Sequence, residues 1–345
     1  MTVPLSEEGL QQPWERLSPA DEYELINRAR LDHVVPVREP LALCSQIARS
    51  GGTLLSQLLD GHPEVHAHPH EVWIGYPSSG QWPPLDLARP DDWFPMLYEK
   101  KTVKYVRRGY RKAGGREAAA GDVYPFLFSA RLQKALFDAA IAALPVETER
   151  DVLDAYMTSY FNAWLDNQNL YTGPKRAVTG FTPMLAMRAA NVERFFAVYP
   201  DGFLLSIVRE PRSWFASARK HAVRYAEVDG AIERWRRSAR ATLDAAERYP
   251  GRVVVLTYEQ LVQKTEPAMS RIAGRLGIAF DPILLEPTFN GRPIRANSHH
   301  EVGGFGVLSD RTSLFRTLLE PETIEAVERA AGDLYERACA AAEGR

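Results

Sequence analysis

The sequence is poor in cysteine and carries almost no net charge. Only Cys44 and Cys339 occur among 345 residues, and Cys44 lies in an apolar stretch. Neither a disulfide framework nor a cysteine metal site is therefore expected, and a reducing compartment fits. A formal charge of −2 excludes the overall positive field that indicates nucleic acid binding. Any cationic site must be local, and no nucleic acid partner is expected.

Long apolar runs are also lacking. No segment reaches the roughly eighteen apolar residues that a membrane span requires. The first eight residues are acidic and lack the apolar stretch of a secretory signal, so we expect a cytoplasmic protein without a transmembrane segment. With 45% hydrophobic and 25% charged residues, the chain is long enough for one large α/β domain.

The most informative segment runs from Leu43 to Leu55. An apolar strand there enters a short basic turn, and a helix predicted from Thr53 to Asp60 follows. Free N–H groups at a helix start attract an anion, Gly51 and Gly52 let the backbone approach it, and Arg49 adds positive charge. The pattern predicts a phosphate site. The G-x-x-x-x-G-K-[ST] spacing of nucleoside triphosphatases is absent.

A second basic element follows the apolar segment Phe203 to Val208. Pro211 suits the first turn of a helix, so Arg209 is predicted at the carboxyl end of a strand. In an open parallel sheet, ligands bind at that edge, and neighbouring strands would bring Arg209 and Arg49 together there. Two cationic sites, each with a helix N-terminus behind it, suit a ligand with two separated phosphates. Taken singly, Arg49 reads as a surface charge and Ser217 as an ordinary helix hydroxyl.

Together, the two elements resemble those of the sulfotransferases that use 3′-phosphoadenosine-5′-phosphosulfate (PAPS). The resemblance implies a 5′-phosphosulfate loop made of Arg49, Ser50, Gly51, Gly52, Thr53 and Leu54. It also implies a 3′-phosphate site made of Arg209 and Ser217. Three positions depart from the family pattern: Gln46 replaces a common Gly, Gly52 the first Thr of a pair, and Phe181 the Lys of a Lys-Thr-Pro segment.

The catalytic groups are implied by the same resemblance. Arg49 would stabilise charge on the leaving phosphate oxygen. The segment from His62 to Glu71 resembles a family segment after which many members carry a catalytic Glu; His70 occupies that place and Glu71 follows it. Both can accept a proton at neutral pH. Glu71 is the first candidate and His70 the second, and a surface or capping carboxylate is the alternative for Glu71.

Other residues are assigned more loosely. Tyr258 either lies near the purine or packs structurally, and Arg292 or Arg295 in a late glycine-rich loop reaches a phosphate. The basic run 100–112 either grips an anionic or sugar-like acceptor or forms a solvated helix face, and the second reading is favoured. The resemblance implies no metal, and the histidines at 62, 66 and 68 are interpreted as loop residues.

These patterns predict the α/β class, with a central parallel sheet flanked by helices, and the resemblance implies a P-loop NTPase-like sulfotransferase fold. Strands are expected at 41–47, 177–180, 203–208 and 253–257. Residues 1–38 are expected to form a helical extension that packs on the main domain, with Tyr23 and Ile26 on or near one face of its helix. Residues 39–345 form the sulfotransferase domain, with 73–172 as a mostly helical acceptor-side insertion that buries Phe161 and Trp164. A docking helix is expected near Pro321.

The expected reaction is transfer of the sulfuryl group from PAPS to a hydroxyl of a sugar, lipid or small metabolite. The product is then 3′-phosphoadenosine 5′-phosphate (PAP). A homo-oligomer is compatible with the sequence. A nucleotide-dependent kinase is one alternative, although no acidic residue follows the apolar runs that end at Val208 and Thr257. A nucleotide-binding scaffold without catalysis is the other.

Overall fold

The computed structural model describes residues 16–72, 82–110, 123–143, 145–295, 304–309 and 312–344. Five parallel strands form the central sheet: β1 (Leu41–Cys44), β2 (Val65–Glu71), β3 (Ala177–Phe181), β4 (Phe203–Val208) and β5 (Val253–Thr257). Their order is β2-β3-β1-β4-β5, so β1 lies between β3 and β4. A short antiparallel hairpin, β6 (Thr288–Phe289) and β7 (Arg292–Pro293), lies outside this sheet.

Helices flank the sheet. They are α1 (Pro19–Asp32), α2 (Gly52–Leu59), α3 (Pro90–Leu97), α4 (Lys101–Arg108), α5 (Ala130–Ala143), α6 (Glu149–Ala163), α7 (Ala189–Val198), α8 (Pro211–Ala218), α9 (Val228–Arg248), α10 (Tyr258–Gln263), α11 (Thr265–Leu276), α12 (Phe315–Leu318) and α13 (Pro321–Ala342). The architecture is the predicted one, a parallel sheet with helical layers and a mostly helical insertion. No described helix is both long and apolar enough to cross a membrane.

The four predicted strands are present, and one further strand was missed. β1 ends at Cys44 rather than at residue 47. The missed strand is β2, which alternates histidine with small or polar residues and contains Pro69, so it lacks the apolar run that marks a buried strand. Pro69 is tolerated because β2 lies at the edge of the sheet. The loop assignment of His66 and His68 was therefore wrong.

Alternate residues of β1 face two different core layers. Leu41 and Leu43 pack beneath the insertion, with Phe161 and Trp164, whereas Ala42 and Cys44 pack with α2 and α11. The predicted burial of Phe161 and Trp164 is confirmed. A third cluster joins α8 and α9 to the buried face of α13, which begins at the predicted Pro321.

The N-terminal helix α1 attaches through polar contacts. It begins where predicted, behind a capping box of Ser18 and Asp21. Its apolar residues contribute little to this attachment, because Tyr23 and Ile26 are 38% and 47% exposed and no residue of α1 is buried. Instead, the Tyr23 hydroxyl lies 2.5 Å from Ser129 Oγ in the insertion.

Candidate active site

The loop between β1 and α2 is open to an anion. Arg49 and Gly51 both have positive φ, 74° and 106°, and for Arg49 this is a strained conformation of the kind found at functional sites. Helix α2 begins at Gly52 without a side-chain cap and without an acidic residue in its first turn. Ser50 Oγ is buried and has no hydrogen-bond partner in the described part of the chain. Free N–H groups, a hydroxyl and a guanidinium thus meet at one point.

The loop after β4 brings a second guanidinium to the same edge. Arg209 Nη1 donates a hydrogen bond to the Arg49 carbonyl at 3.1 Å, and Arg49 Nε donates to Ser217 Oγ at 3.1 Å. Within the described ranges, neither arginine has a carboxylate within 4.0 Å, and Arg209 Nε is buried without a partner. Burial and the Arg209 charge lower the pKa of Arg49. Two like charges held together without a counterion favour a bound anion.

The arrangement differs from the expectation in one respect. Helix α8 has no free N-terminus, because the Glu210 carboxylate accepts hydrogen bonds from Arg212 N at 3.2 Å and Ser213 N at 2.7 Å. The expectation of an open helix N-terminus behind both cationic sites was therefore wrong for the second one. Ser217 instead lies in the last turn of α8, and its hydroxyl is in direct contact with Arg49.

Tyr258 packs between the two loops. Its ring lies 4.3 Å from the Arg209 guanidinium carbon, within cation–π range. On the other side it contacts Gly51, where an added Cβ would come within 2.6 Å of the ring. This favours the packing role for Tyr258, in which the ring orients Arg209 and requires glycine at position 51.

Two tryptophans fix the backbones of the basic loops. Trp214 Nε1 donates to the Ala48 carbonyl at 2.8 Å, and Trp235 Nε1 donates to the Arg209 carbonyl at 2.9 Å. Both side chains are fully buried. Sequence reasoning missed these contacts. Trp214 stands within the second motif and could have been noticed, but Trp235 lies on α9 and no local pattern marks it.

The C-terminal helix supports the second loop as well. The Glu259 carboxylate accepts a hydrogen bond from the Tyr335 hydroxyl at 2.8 Å and lies 3.3 Å from the Glu210 backbone nitrogen. Burial raises the pKa of Glu259, against the opposing effect of the Tyr335 hydrogen bond. Through Glu259, Tyr335 therefore supports the backbone of Glu210, the residue that follows Arg209, although the two lie far apart in the sequence.

The two candidate bases occupy different environments at the end of β2. The Glu71 side chain is 28% exposed, and Lys101 Nζ lies 3.4 Å from its carboxylate. The His70 side chain is fully buried, with Nε2 2.8 Å from the Tyr160 hydroxyl. Solvent, and hence an acceptor, can reach Glu71 but not His70 in this arrangement.

His221 is a site residue that sequence reasoning missed. Burial lowers its pKa, as do Arg49 and Arg224, whereas Glu71 raises it. The imidazole therefore lies within electrostatic range of both Arg49 and Glu71. It lies in the turn that follows α8, four residues after Ser217, where no local sequence pattern marks it.

The remaining predicted residues lie apart from these contacts. The Arg295 guanidinium lies 5.4 Å from the Phe305 ring, and Arg292 is exposed on the β6–β7 hairpin. Most of the late glycine-rich loop, 296–303, lies outside the described residues. The basic run forms α4, whose Lys104 and Arg107 are exposed as on a solvated helix face, while Arg111 and Lys112 are outside the described ranges.

A comparison with protein families identifies the family of this chain. The model of the Sulfotransferase family matches residues 47–282, which is most of the chain. This chain belongs to the sulfotransferase family.

Solved structures similar to this chain include three bacterial or biosynthetic sulfotransferases. The sulfotransferase domain from the curacin biosynthetic pathway is 16% identical, with 88% of this chain and 99% of that one covered and a TM-score of 0.47. The domain from the Synechococcus PCC 7002 olefin synthase is 19% identical, with 87% and 96% covered and a TM-score of 0.45. The Alicyclobacillus acidocaldarius sulfotransferase is 16% identical, with 89% and 97% covered and a TM-score of 0.43. No curated protein matches.

The three residues that depart from the family pattern, Gln46, Gly52 and Phe181, lie next to one another in this sulfotransferase. A Cβ added at Gly52 would overlap the Gln46 side-chain amide and come within 2.5 Å of the Phe181 ring. The larger side chains at 46 and 181 therefore require glycine at 52. We read the three exchanges as one coupled change, which removes a hydroxyl from the loop while keeping the helix N-terminus open.

Proposed function

We propose that this sulfotransferase moves the sulfuryl group of PAPS to a hydroxyl group of an acceptor. The observation that carries the proposal is the contact between the two basic loops, in which Arg209 Nη1 donates to the Arg49 carbonyl. Neither guanidinium group has a carboxylate within 4.0 Å in the described chain. Next to them stands the uncapped N-terminus of α2. A ligand with phosphates at the 3′ and 5′ positions of one ribose supplies the two missing negative charges.

Unsatisfied polar atoms support this ligand. Ser50 Oγ and Arg209 Nε are both buried without partners among the described residues, which costs free energy unless a ligand bonds to them. In the proposal, Arg49, Ser50, Thr53 and the backbone amides of residues 51–54 hold the 5′-phosphosulfate. Arg209 and Ser217 hold the 3′-phosphate. A carboxylate ligand would satisfy one of these sites but not both.

The transfer step requires a base and a cation. The acceptor oxygen forms a bond to sulfur, the bond between sulfur and the 5′-phosphate oxygen breaks, and PAP leaves. Arg49 stabilises the charge that develops on the leaving oxygen. Glu71 accepts the acceptor proton, because it is the solvent-reachable candidate and lies within electrostatic range of the same His221 as Arg49 does.

The acceptor is proposed to enter beside the insertion. Glu71 contacts Lys101 at the start of α4, so the insertion forms one wall next to the base. A sugar, lipid or small-metabolite alcohol remains the proposed acceptor class. A cytoplasmic location and a homo-oligomer stay predictions from the sequence.

Ligand binding separates the proposal from a kinase. In thermal unfolding, PAP without metal should raise Tm. At a PAP concentration one hundred times its Kd, the free energy of unfolding should increase by about 2.7 kcal/mol. ATP with Mg²⁺ should raise it far less, since it lacks a 3′-phosphate. Adenosine 5′-phosphosulfate, which also lacks that phosphate, is the matched ligand control. A larger shift with ATP and Mg²⁺ than with PAP would reject the proposal.

Transfer assays separate the enzyme from a scaffold. With ³⁵S-labelled PAPS and a panel of alcohols and phenols, the native chain should label at least one acceptor. Glu71→Gln should reduce the rate on the order of 10²-fold while leaving the PAP shift unchanged. Glu336→Gln, on the surface of α13, is the matched control. PAP binding without transfer to any acceptor would favour the scaffold.

A further inference from the structure

A buried cluster of titratable side chains lies behind the end of β2. His66, His68 and His70 alternate along the strand and share one face, because all three rings contact aromatic side chains of α6. Glu99, in the turn before α4, joins two of them. His68 Nε2 lies 3.4 Å from one carboxylate oxygen of Glu99, and His70 Nδ1 lies 3.3 Å from the other.

The carboxylate of Glu99 lacks an obvious positive partner. Its side chain is 2% exposed, and in the described ranges no lysine or arginine pairs with it. Its surroundings are aromatic, with the rings of Tyr160 and Tyr105 stacked against His68 and His70. A buried carboxylate without a cation costs several kcal/mol, a cost that positive charge in the cluster would offset.

The hydrogen bonds of the imidazoles indicate at which atoms of the cluster a positive charge would lie. His68 Nδ1 lies 2.9 Å from the His70 carbonyl oxygen and 3.5 Å from the His70 backbone nitrogen. The shorter contact is to a group that can only accept, so we assign the hydrogen to Nδ1. The lone pair of Nε2 in the neutral ring then points at Glu99, and neither His68 Nε2 nor Glu99 Oε2 has a hydrogen-bond partner in the described chain. The oxygen that His68 Nε2 faces, at 3.4 Å, is Oε1 of Glu99, whereas Oε2 faces His70 Nδ1. Two electron pairs therefore lie between His68 and Glu99 unless a proton or a metal ion lies there.

The donor set and its spacing suit a transition metal. The ligand atoms of His68, His70 and Glu99 all lie within 4.8 Å of one another. Two ligands of one tetrahedral Zn²⁺ at about 2.1 Å are about 3.4 Å apart, close to both nitrogen–oxygen distances. Two imidazoles with one carboxylate favour Zn²⁺, Co²⁺ or Ni²⁺ over Mg²⁺ or Ca²⁺, which prefer oxygen alone.

Outer hydrogen bonds already orient the rings. The His70 carbonyl fixes His68 through Nδ1, and the Tyr160 hydroxyl lies 2.8 Å from His70 Nε2. Such partners commonly set the tautomer of metal-bound histidines. His70 Nδ1 also lies 3.1 Å from the Glu71 carbonyl, so binding an ion exchanges that hydrogen bond for a coordinate bond.

We propose that His68, His70 and Glu99 bind one divalent transition metal ion of the Zn²⁺ class. The ion joins the strand that ends at Glu71 to the turn that leads into Lys101, and so fixes the two halves of the Glu71–Lys101 pair. It lies beneath the site and takes no part in sulfuryl transfer, so the expectation of metal-free chemistry is unaffected. The site does not depend on the proposed function, since only the fold is needed to form it.

Metal titration tests the proposal. The full chain, stripped with a chelator and titrated with Zn²⁺, should bind about one equivalent and gain in Tm. Co²⁺ should give visible d–d absorption with a four- or five-coordinate intensity. Glu99→Gln and His68→Gln should each weaken Zn²⁺ binding at least about tenfold, whereas His33→Gln, at an exposed histidine, should not.

The competing explanation is a proton on His68 in place of the metal. In that case the wild-type chain binds no stoichiometric Zn²⁺, Tm does not change with the metal, and the proposal is wrong. Binding that survives both Glu99→Gln and His68→Gln would also overturn it, because the ion would then sit elsewhere. Should either variant fail to fold, the wild-type stoichiometry and Co²⁺ spectrum still decide.

Discussion

Two sides of the sheet edge are built on different principles. The arginine side consists of the loops after β1 and β4. There Arg209 donates to the Arg49 carbonyl and Arg49 donates to Ser217 Oγ, and neither arginine has a carboxylate partner in the described chain. The histidine side consists of the end of β2 with helices α4 and α6, and there buried polar groups lie among aromatic rings. The first holds its polar atoms at the open edge of the sheet, whereas the second holds them buried in the core.

The difference teaches which side can be changed without unfolding the protein. Under the proposed function, substitutions on the arginine side should cost ligand binding and catalysis, because the two guanidinium groups would contact the nucleotide rather than the core. Substitutions on the histidine side should cost folding free energy, because its side chains fill the largest core cluster. Four substitutions test this contrast.

The largest effect is expected for Phe161→Ala on the histidine side. Phe161 is fully buried and its ring lies 5.0 Å from that of His66. The cavity should lower the free energy of unfolding by about 4 kcal/mol, measured by urea denaturation. Phe161→Leu should cost much less. If Phe161→Ala reduced activity without reducing stability, the contrast between the two sides would fail.

Asp154 on α6 should make stability depend on pH. Burial raises its pKa to about 6, although the Tyr199 hydroxyl and Arg150 oppose the shift. Because the folded carboxyl holds its proton more tightly than the unfolded one, the free energy of unfolding should fall as pH rises from about 4 to 6. The full change is about 3 kcal/mol.

Denaturant titrations between pH 4 and 7 measure this effect. Asp154→Asn should remove that component of the slope, whereas Asp138→Asn, at an exposed carboxylate of α5, should leave it in place. An unchanged slope in Asp154→Asn would show that the carboxyl titrates alike in both states.

Arg49→Ala tests the arginine side. We expect kcat/KM for PAPS to fall about 10²-fold, which corresponds to about 2.7 kcal/mol of transition-state stabilisation. The Tm should stay the same or rise, since a repulsive neighbour of Arg209 is removed. Arg337→Ala, at an exposed arginine of α13, is the control. A large loss of stability in Arg49→Ala would place this arginine among the structural residues.

The smallest effect is expected for Gly51→Ala. The new methyl group would meet the Tyr258 ring at a φ of 106°, so the ring or the loop must shift. Affinity for PAP should fall about tenfold, with Tm changed little. Isothermal titration with Gly291→Ala as the control, a positive-φ glycine with open space around it, checks whether the loss comes from the Tyr258 contact.

The arginine side was largely predictable from the sequence because its information is local. Arg49 and the glycines stand within one strand–turn–helix segment, and Arg209 and Ser217 within another. The rule that ligands bind at the carboxyl ends of parallel strands then joined the two segments, and the contact between the loops agrees with it. The sequence pattern did not predict that the Glu210 carboxylate caps the N-terminus of α8.

The histidine side was not predictable, since its contacts are not local. β2 lacks the apolar pattern that marks a buried strand, so its histidines were assigned to a loop. Glu99 reaches them from a turn beyond 73–81, and no spacing rule joins it to His68. The same holds for Trp235 and Tyr335, whose hydrogen bonds depend on tertiary packing alone.

The hydrogen bond between Tyr335 and Glu259 also has a consequence for the order in which the protein assembles during synthesis. A ribosome releases Arg49 early, then Arg209, and Tyr335 only much later. Until α13 emerges and docks, Glu259 lacks the hydroxyl that holds it beside the backbone next to Arg209. The nascent polypeptide therefore contains both basic loops well before the second one has its full support.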